Sequence, residues 1–93
     1  MDQDKIAKDV RQALVKTANR AGIPIAEADL TDSTRPAGPE LSLDSESSVG
    51  FVCDLEDLGY RINTDENLLV ANSRPRTLRE IVRVVAGLVA KGT

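Results

Sequence analysis

Apolar positions along the chain fall into helical registers separated by clear punctuation. Ile6, Val10, Ala13, Leu14, Thr17, Ala18 and Ala21 recur at spacings of three and four, with Lys5, Lys8, Arg11, Lys16 and Arg20 on the other side. This pattern predicts an amphipathic helix over residues 3–21. Gly22 suits the position just past its end, and Pro24 blocks continuation. Residues 22–44 then read as a long connection, broken by Pro24, Pro36, Gly38 and Pro39 and rich in Ser, Thr and Asp. Ile23, Ile25, Leu30, Leu41 and Leu43 should pin it to a core, with a short helical turn near Ala26–Leu30. Connections longer than ~12–15 residues are unusual and often functional.

A second helix is predicted over residues 45–58. Its apolar residues make two clusters, Val49, Val52 and Cys53 on one side, and Phe51, Leu55 and Leu58 at i, i+4, i+7 on the other. Asp44 or Ser45 caps its start, and Gly59 ends it. Tyr60 to Asn63 alternates as a short extended stretch. Residues 64–70 are predicted as a brief third helix, begun by Thr64 and Asp65 and buried through Leu68, Leu69 and Val70. A turn containing Pro75 follows over 71–76. Thr77-Leu78-Arg79-Glu80 is a capping box that opens the last helix, whose wide apolar face carries Ile81, Val82, Val84, Val85, Leu88 and Val89. Gly87 within it calls for a close contact. The expected fold is all-α: a small four-helix bundle, three helices main and one short, with a long first loop and a single domain over residues 1–93.

Composition narrows the chemistry. The only aromatic residues among the 93 are Phe51 and Tyr60, so the core is aliphatic. Histidine is absent and Cys53 is the sole cysteine. A His-based triad, a Cys/His zinc site and an internal disulfide are therefore all excluded, and no metal site is expected. No apolar run approaches the ~20 residues that span a bilayer. The charged start, Met1–Ala7, lacks a signal-peptide core. A cytoplasmic, monomeric protein without membrane insertion is expected.

The net charge of −3 conceals a strong segregation. Residues 1–21 carry +2, residues 22–39 carry −2, residues 40–66 carry −7 and residues 67–93 carry +4. An acidic segment of this strength disfavours nucleic acid and suits a basic protein partner.

The acidic segment also holds the most informative motif: Leu41-Ser42-Leu43-Asp44-Ser45, followed by Val49, Phe51-Val52, Leu55-Glu56 and Gly59-Tyr60-Arg61-Ile62. It resembles the acyl carrier protein family, in which Leu-Gly-x-Asp-Ser-Leu opens the second helix. Leu41, Asp44 and Ser45 match directly, and the Thr77–Val82 opening is similar to the family's last helix. Ser42 stands where the family has Gly, and Glu46 where it has Leu or Met. The resemblance implies an acyl-carrier-like bundle whose Ser45, beside Asp44, is esterified by 4'-phosphopantetheine from coenzyme A. A phosphopantetheinyl transferase (holo-carrier synthase) performs that step, and the arm then carries acyl groups as thioesters for fatty-acid, polyketide or related biosynthesis. A helix start suits a phosphodiester, because its backbone N–H groups are unpaired.

Each residue also has a plainer reading. Ser45 after Asp44 is compatible with simple capping, and Ser47 and Ser48 read as first-turn residues. Cys53 reads as a buried small hydrophobe rather than a nucleophile. Glu46, Asp54 and Asp57 lie roughly along one stripe, either a solvated face or a docking surface for basic patches on acyl-transferring or ketosynthase-type enzymes. The chain is not expected to be an enzyme. Two other functions remain open: a peptidyl or aminoacyl carrier, and an unmodified carrier-like interaction module.

Overall fold

The computed structural model describes residues 3–39, 41–62 and 67–91. Among the described residues three α-helices carry the fold: α1 (Gln3–Arg20), α2 (Ser45–Asp57) and α3 (Leu78–Lys91). A 3-10 turn, Glu27–Asp29, lies between α1 and α2. A minimal hairpin, β1 (Val70–Ala71) with β2 (Arg74–Pro75), precedes α3.

The predicted apolar stripe of α1 is the buried one: Ile6, Val10, Ala13, Leu14, Thr17 and Ala18. Gly22, at φ 88°, lets the Ile23 N–H turn back onto the Ala18 carbonyl at 2.8 Å. Gly59, at φ 98°, does the same for Tyr60 and Leu55 at the end of α2, at 3.2 Å. A side chain disfavours this left-handed closure, so both helices end at glycine. α1 packs against both α2 and α3, whereas no Cα of α2 comes within 8 Å of α3. Leu41, Leu43, Tyr60, Ile62, Leu68 and Leu69, all from connecting segments, complete the core around Leu14, Phe51, Leu55, Leu78 and Ile81.

The connection from α1 to α2 has a second task at the start of α3. The Thr34 carbonyl accepts the Leu78 N–H at 2.7 Å, and the Asp32 carbonyl accepts that of Arg79 at 3.1 Å. Thr77 Oγ1 accepts the Glu80 N–H at 3.2 Å while Glu80 Oε1 accepts the Thr77 N–H at 3.1 Å, which is the predicted capping box. The otherwise unpaired donors of the first turn are thus satisfied by one distant segment, residues 32–34, and by the neighbouring Thr77. Arg11 reinforces the junction by donating to the Leu30 carbonyl at 2.8 Å and pairing with Asp32 at 3.1 Å.

Three expectations need correction. The predicted start of a helix at Thr64–Asp65 lies outside the described residues, and the described part of that segment is not helical. The Leu69 N–H bonds to Asn67 Oδ1 at 2.8 Å, and Val70 pairs with Pro75 across the hairpin. Asn72 and Ser73, at φ 52° and 64°, form the two-residue loop, as a primed turn requires. The apolar run Leu68-Leu69-Val70 was too short to distinguish helix from strand. On α2, Phe51 and Leu55 are buried with Ser48 and Asp54, while Val49 and Cys53 face solvent. The bulkier pair takes the core, and Ser48 and Asp54 are tolerated there because each finds a partner. Gly87 has open space where a Cβ would stand, so no close contact explains it.

Tyr60 and Asp9 form a buried polar link between the end of α2 and α1. The phenol donates to Asp9 Oδ2 at 2.6 Å, and Lys5 Nζ lies 2.9 Å from the same oxygen and 5.8 Å from the Tyr60 ring centroid. Burial alone would raise the Asp9 carboxyl, but hydrogen bonds from Tyr60 and Lys5 outweigh it and hold the group below its ordinary value of 3.8. A carboxyl lowered by folding stabilises the native state above its unfolded pKa, and that contribution is lost as pH falls through the folded value. Asp9→Leu leaves the Tyr60 hydroxyl without its acceptor and should cost about 2 kcal/mol at pH 7. In urea unfolding followed by circular dichroism, the gap from wild type should narrow as pH drops below 3.8.

Ser42 occupies the left-handed region at φ 51°, with its N–H on the Gly38 carbonyl at 2.7 Å. This conformation suits glycine, the residue the family resemblance implies at that position. Ser42→Gly removes roughly 1–2 kcal/mol of steric cost, offset in part by the greater freedom of glycine in the unfolded chain. A net gain of about 0.5 kcal/mol should appear as a higher urea midpoint.

Candidate functional site

Asp44 is the N-cap of α2, in extended conformation, and its Oδ1 accepts the Ser47 N–H at 2.9 Å. The Ser47 amide and hydroxyl hold the Asp44 carboxyl below its ordinary range, so it stays ionised. Capping is therefore the task of Asp44, which frees Ser45 from it. Ser45 is the first residue of α2, exposed, and its side chain has no hydrogen bond to any other described residue.

The two neighbouring hydroxyls are differently placed. Ser48 is 3% exposed and its Oγ accepts the Leu68 N–H at 3.3 Å. Ser47 is half-buried and lines a groove with Thr17, Arg20, Asp44, Glu46 and Gly50. Of the three serines, Ser45 alone is exposed.

The acidic stripe resolves into two parts. Glu46 and Asp57 are exposed, as a docking surface requires. Asp54 is 1% exposed and belongs to the interior, which corrects its assignment to that surface. Its Oδ2 accepts the Thr17 hydroxyl at 2.8 Å and its Oδ1 pairs with Arg20 at 2.7 Å. Asp54 in turn pushes the Arg20 guanidinium above its ordinary range. Among the described residues no buried side-chain nitrogen or oxygen lacks a partner, so the buried carboxylate is fully accounted for. Gly50 makes room for this arrangement, since a Cβ there would lie 3.1 Å from Arg20 Nη1.

The outward face of α2 is therefore Glu46, Val49, Cys53 and Asp57, spaced three, four and four, with exposed Glu56 beside it. Val49 is 66% exposed, so the face is an apolar strip with acidic ends. The sequence reading missed Val49 and Cys53 as surface residues. A helix with apolar residues on all sides does not declare its buried stripe, and only the buried partner of Asp54 breaks the tie.

No helix among the described residues is long and apolar enough to cross a membrane, and no three described His, Cys, Asp or Glu side chains cluster to hold a metal. Comparison with protein-family models, with characterised proteins and with solved structures finds no match for this chain.

Replacing Asp54 separates structure from surface. Asp54→Ala removes two hydrogen bonds to a buried charge and should cost about 2 kcal/mol. Asp54→Lys, which sets an ammonium against Arg20, should abolish the cooperative thermal transition, whereas Asp57→Lys should leave the melting temperature unchanged.

Proposed function

We propose that this chain is an acyl carrier protein, with Ser45 the attachment point of a 4'-phosphopantetheine arm. The observation that carries the reading is the exposed Ser45 as the first residue of α2, with Asp44 capping the helix in its place. Three features support it. The Leu41–Ser45 motif resembles that of the family. The helix start offers a favourable field to a phosphodiester. Ser42, where the resemblance implies glycine, has a left-handed backbone of the kind that favours glycine.

In this reading the described helices and the first connection form an acyl-carrier-like bundle. Ser45 Oγ attacks the pyrophosphate of coenzyme A within a phosphopantetheinyl transferase, and adenosine 3',5'-bisphosphate leaves as the phosphodiester forms. The arm's thiol then holds acyl groups as thioesters, and the carrier needs no catalytic side chain. The strip of Glu46, Val49, Cys53 and Asp57 serves as the docking face. Its acidic ends steer basic partner enzymes, and Val49 supplies the apolar contact. Glu46, adjacent to the modified serine, favours a transferase with a cation facing it, because an apolar pocket would have to desolvate the carboxylate.

The test is intact mass after incubation with coenzyme A and a phosphopantetheinyl transferase of broad specificity. Wild type should gain one phosphopantetheine, and Ser45→Ala should gain none while keeping its helical circular dichroism. Modification of Ser45→Ala, through Ser47 or Ser48, would overturn the assignment. No gain by wild type with any transferase would favour an unmodified interaction module.

A further inference from the structure

A second charged surface lies at the start of α3, built from the hairpin and the first connection. Arg35, Arg74 and Arg76 line one groove there together with Asn72 and Glu80. Arg35 donates to the Pro75 carbonyl, and Arg76 Nη1 donates to the Leu68 carbonyl at 3.3 Å. Each bond holds a guanidinium in place and leaves its other N–H donors available, since arginine carries five. Arg74 is exposed, its backbone is paired with Ala71 across the hairpin, and its guanidinium has no hydrogen-bond or ion-pair partner among the described residues.

The one carboxylate in the groove does not balance this charge. Glu80 Oε1 is engaged by the Thr77 N–H and hydroxyl, both at 3.1 Å. Thr77 holds its carboxyl below the ordinary range, with Arg35 and Arg76 contributing, so it stays a single fixed negative charge among three cations. The α3 N-terminus adds nothing, because Thr34, Asp32 and Thr77 already take its first N–H groups. Three guanidinium groups gathered in a concavity around one committed carboxylate leave an uncompensated positive field.

We propose that this groove binds a phosphate monoester or free phosphate, with Arg35 and Arg76 as fixed walls and Arg74 closing over the anion. Guanidinium forks match the geometry of phosphate oxygens, and charge-assisted bonds of this kind are the strong ones. The choice of a compact anion follows from the rest of the chain. The whole chain carries a net charge of −3, so an extended polyanion meets net negative protein outside the groove. A single phosphate group meets only the local field. The proposal does not depend on modification of Ser45.

The experiment is an amide NMR titration of the full chain with inorganic phosphate, against chloride at matched ionic strength. Saturable shifts are expected at Asn72, Arg74 and Arg76. Adenosine monophosphate should move the same residues and unphosphorylated adenosine should not; if inorganic phosphate binds but the monophosphate does not, the site takes free phosphate alone. Arg74→Gln, which leaves both carbonyl-anchored arginines intact, should weaken binding about tenfold. Arg61→Gln removes the same charge from an exposed position outside the groove and should change it less than about twofold. Shifts that merely track ionic strength, equal weakening by both variants, or shifts confined to residues 45–47 at the start of α2 would each overturn the proposal.

Discussion

One buried carboxylate fixes the geometry on which the candidate site depends. The backbone of α2 comes close to that of α1 and not to that of α3, so α1 is the helix that chiefly sets its position. Phe51 and Leu55 supply the apolar part of that contact, which is strong but tolerant of sliding and rotation. Asp54 is not tolerant. Its two oxygens meet Thr17 and Arg20 at 2.8 and 2.7 Å, and any rotation of α2 would strand a charge away from water. The pair therefore selects one rotational setting of α2 about its axis. That setting turns Ser45, Val49 and Cys53 outward and Ser48 inward.

The far side of the molecule is organised by backbone rather than charge. The connection between α1 and α2 lends its Asp32 and Thr34 carbonyls to the first turn of α3. Residues 31–34 are therefore ordered by the helix they cap, and α3 by a segment more than forty residues earlier. Leu30, Leu41 and Leu43 bury the ends of the same stretch. Arg11, Asp32 and Arg79 complete an ion network across α1, the connection and α3. A substitution that disturbs residues 32–34 therefore reaches the first turn of α3 directly, whereas Asp44 at the end of the same connection caps α2.

How much of this was legible in the sequence depended on how far a residue's neighbours lie along the chain. Local chemistry was readable: the stripe of α1, the Gly22 and Gly59 endings, the Asp44 cap and the Thr77–Glu80 box all rest on partners within five residues. What failed was decided at long range. Asp54 read as surface because its partner Thr17 is 37 positions away, and Cys53 read as core because periodicity on an all-round apolar helix names no preferred face. The hairpin went unrecognised because Asn72-Ser73 is a weaker turn signature than Asn-Gly, and each strand has only two residues. For the candidate site, Ser45 and Asp44 came from the motif. The motif already favoured Ser45 over Ser47 and Ser48, and the contact of Ser48 with Leu68 adds a structural reason.

The exposure of Cys53 has a practical consequence for anyone handling the protein. Its thiol shares the outward face of α2 with Val49, two turns from Ser45. A chain bearing a phosphopantetheine arm would display two accessible sulfhydryls, one on the prosthetic group and one on the polypeptide. A colorimetric thiol count then starts from one equivalent in the bare chain rather than from zero, and a maleimide dye reads both. Air oxidation has two sulfurs to join, within one molecule or between two. Cys53→Ser gives a background in which every titratable sulfur belongs to the arm, at an exposed position where the core has nothing to lose.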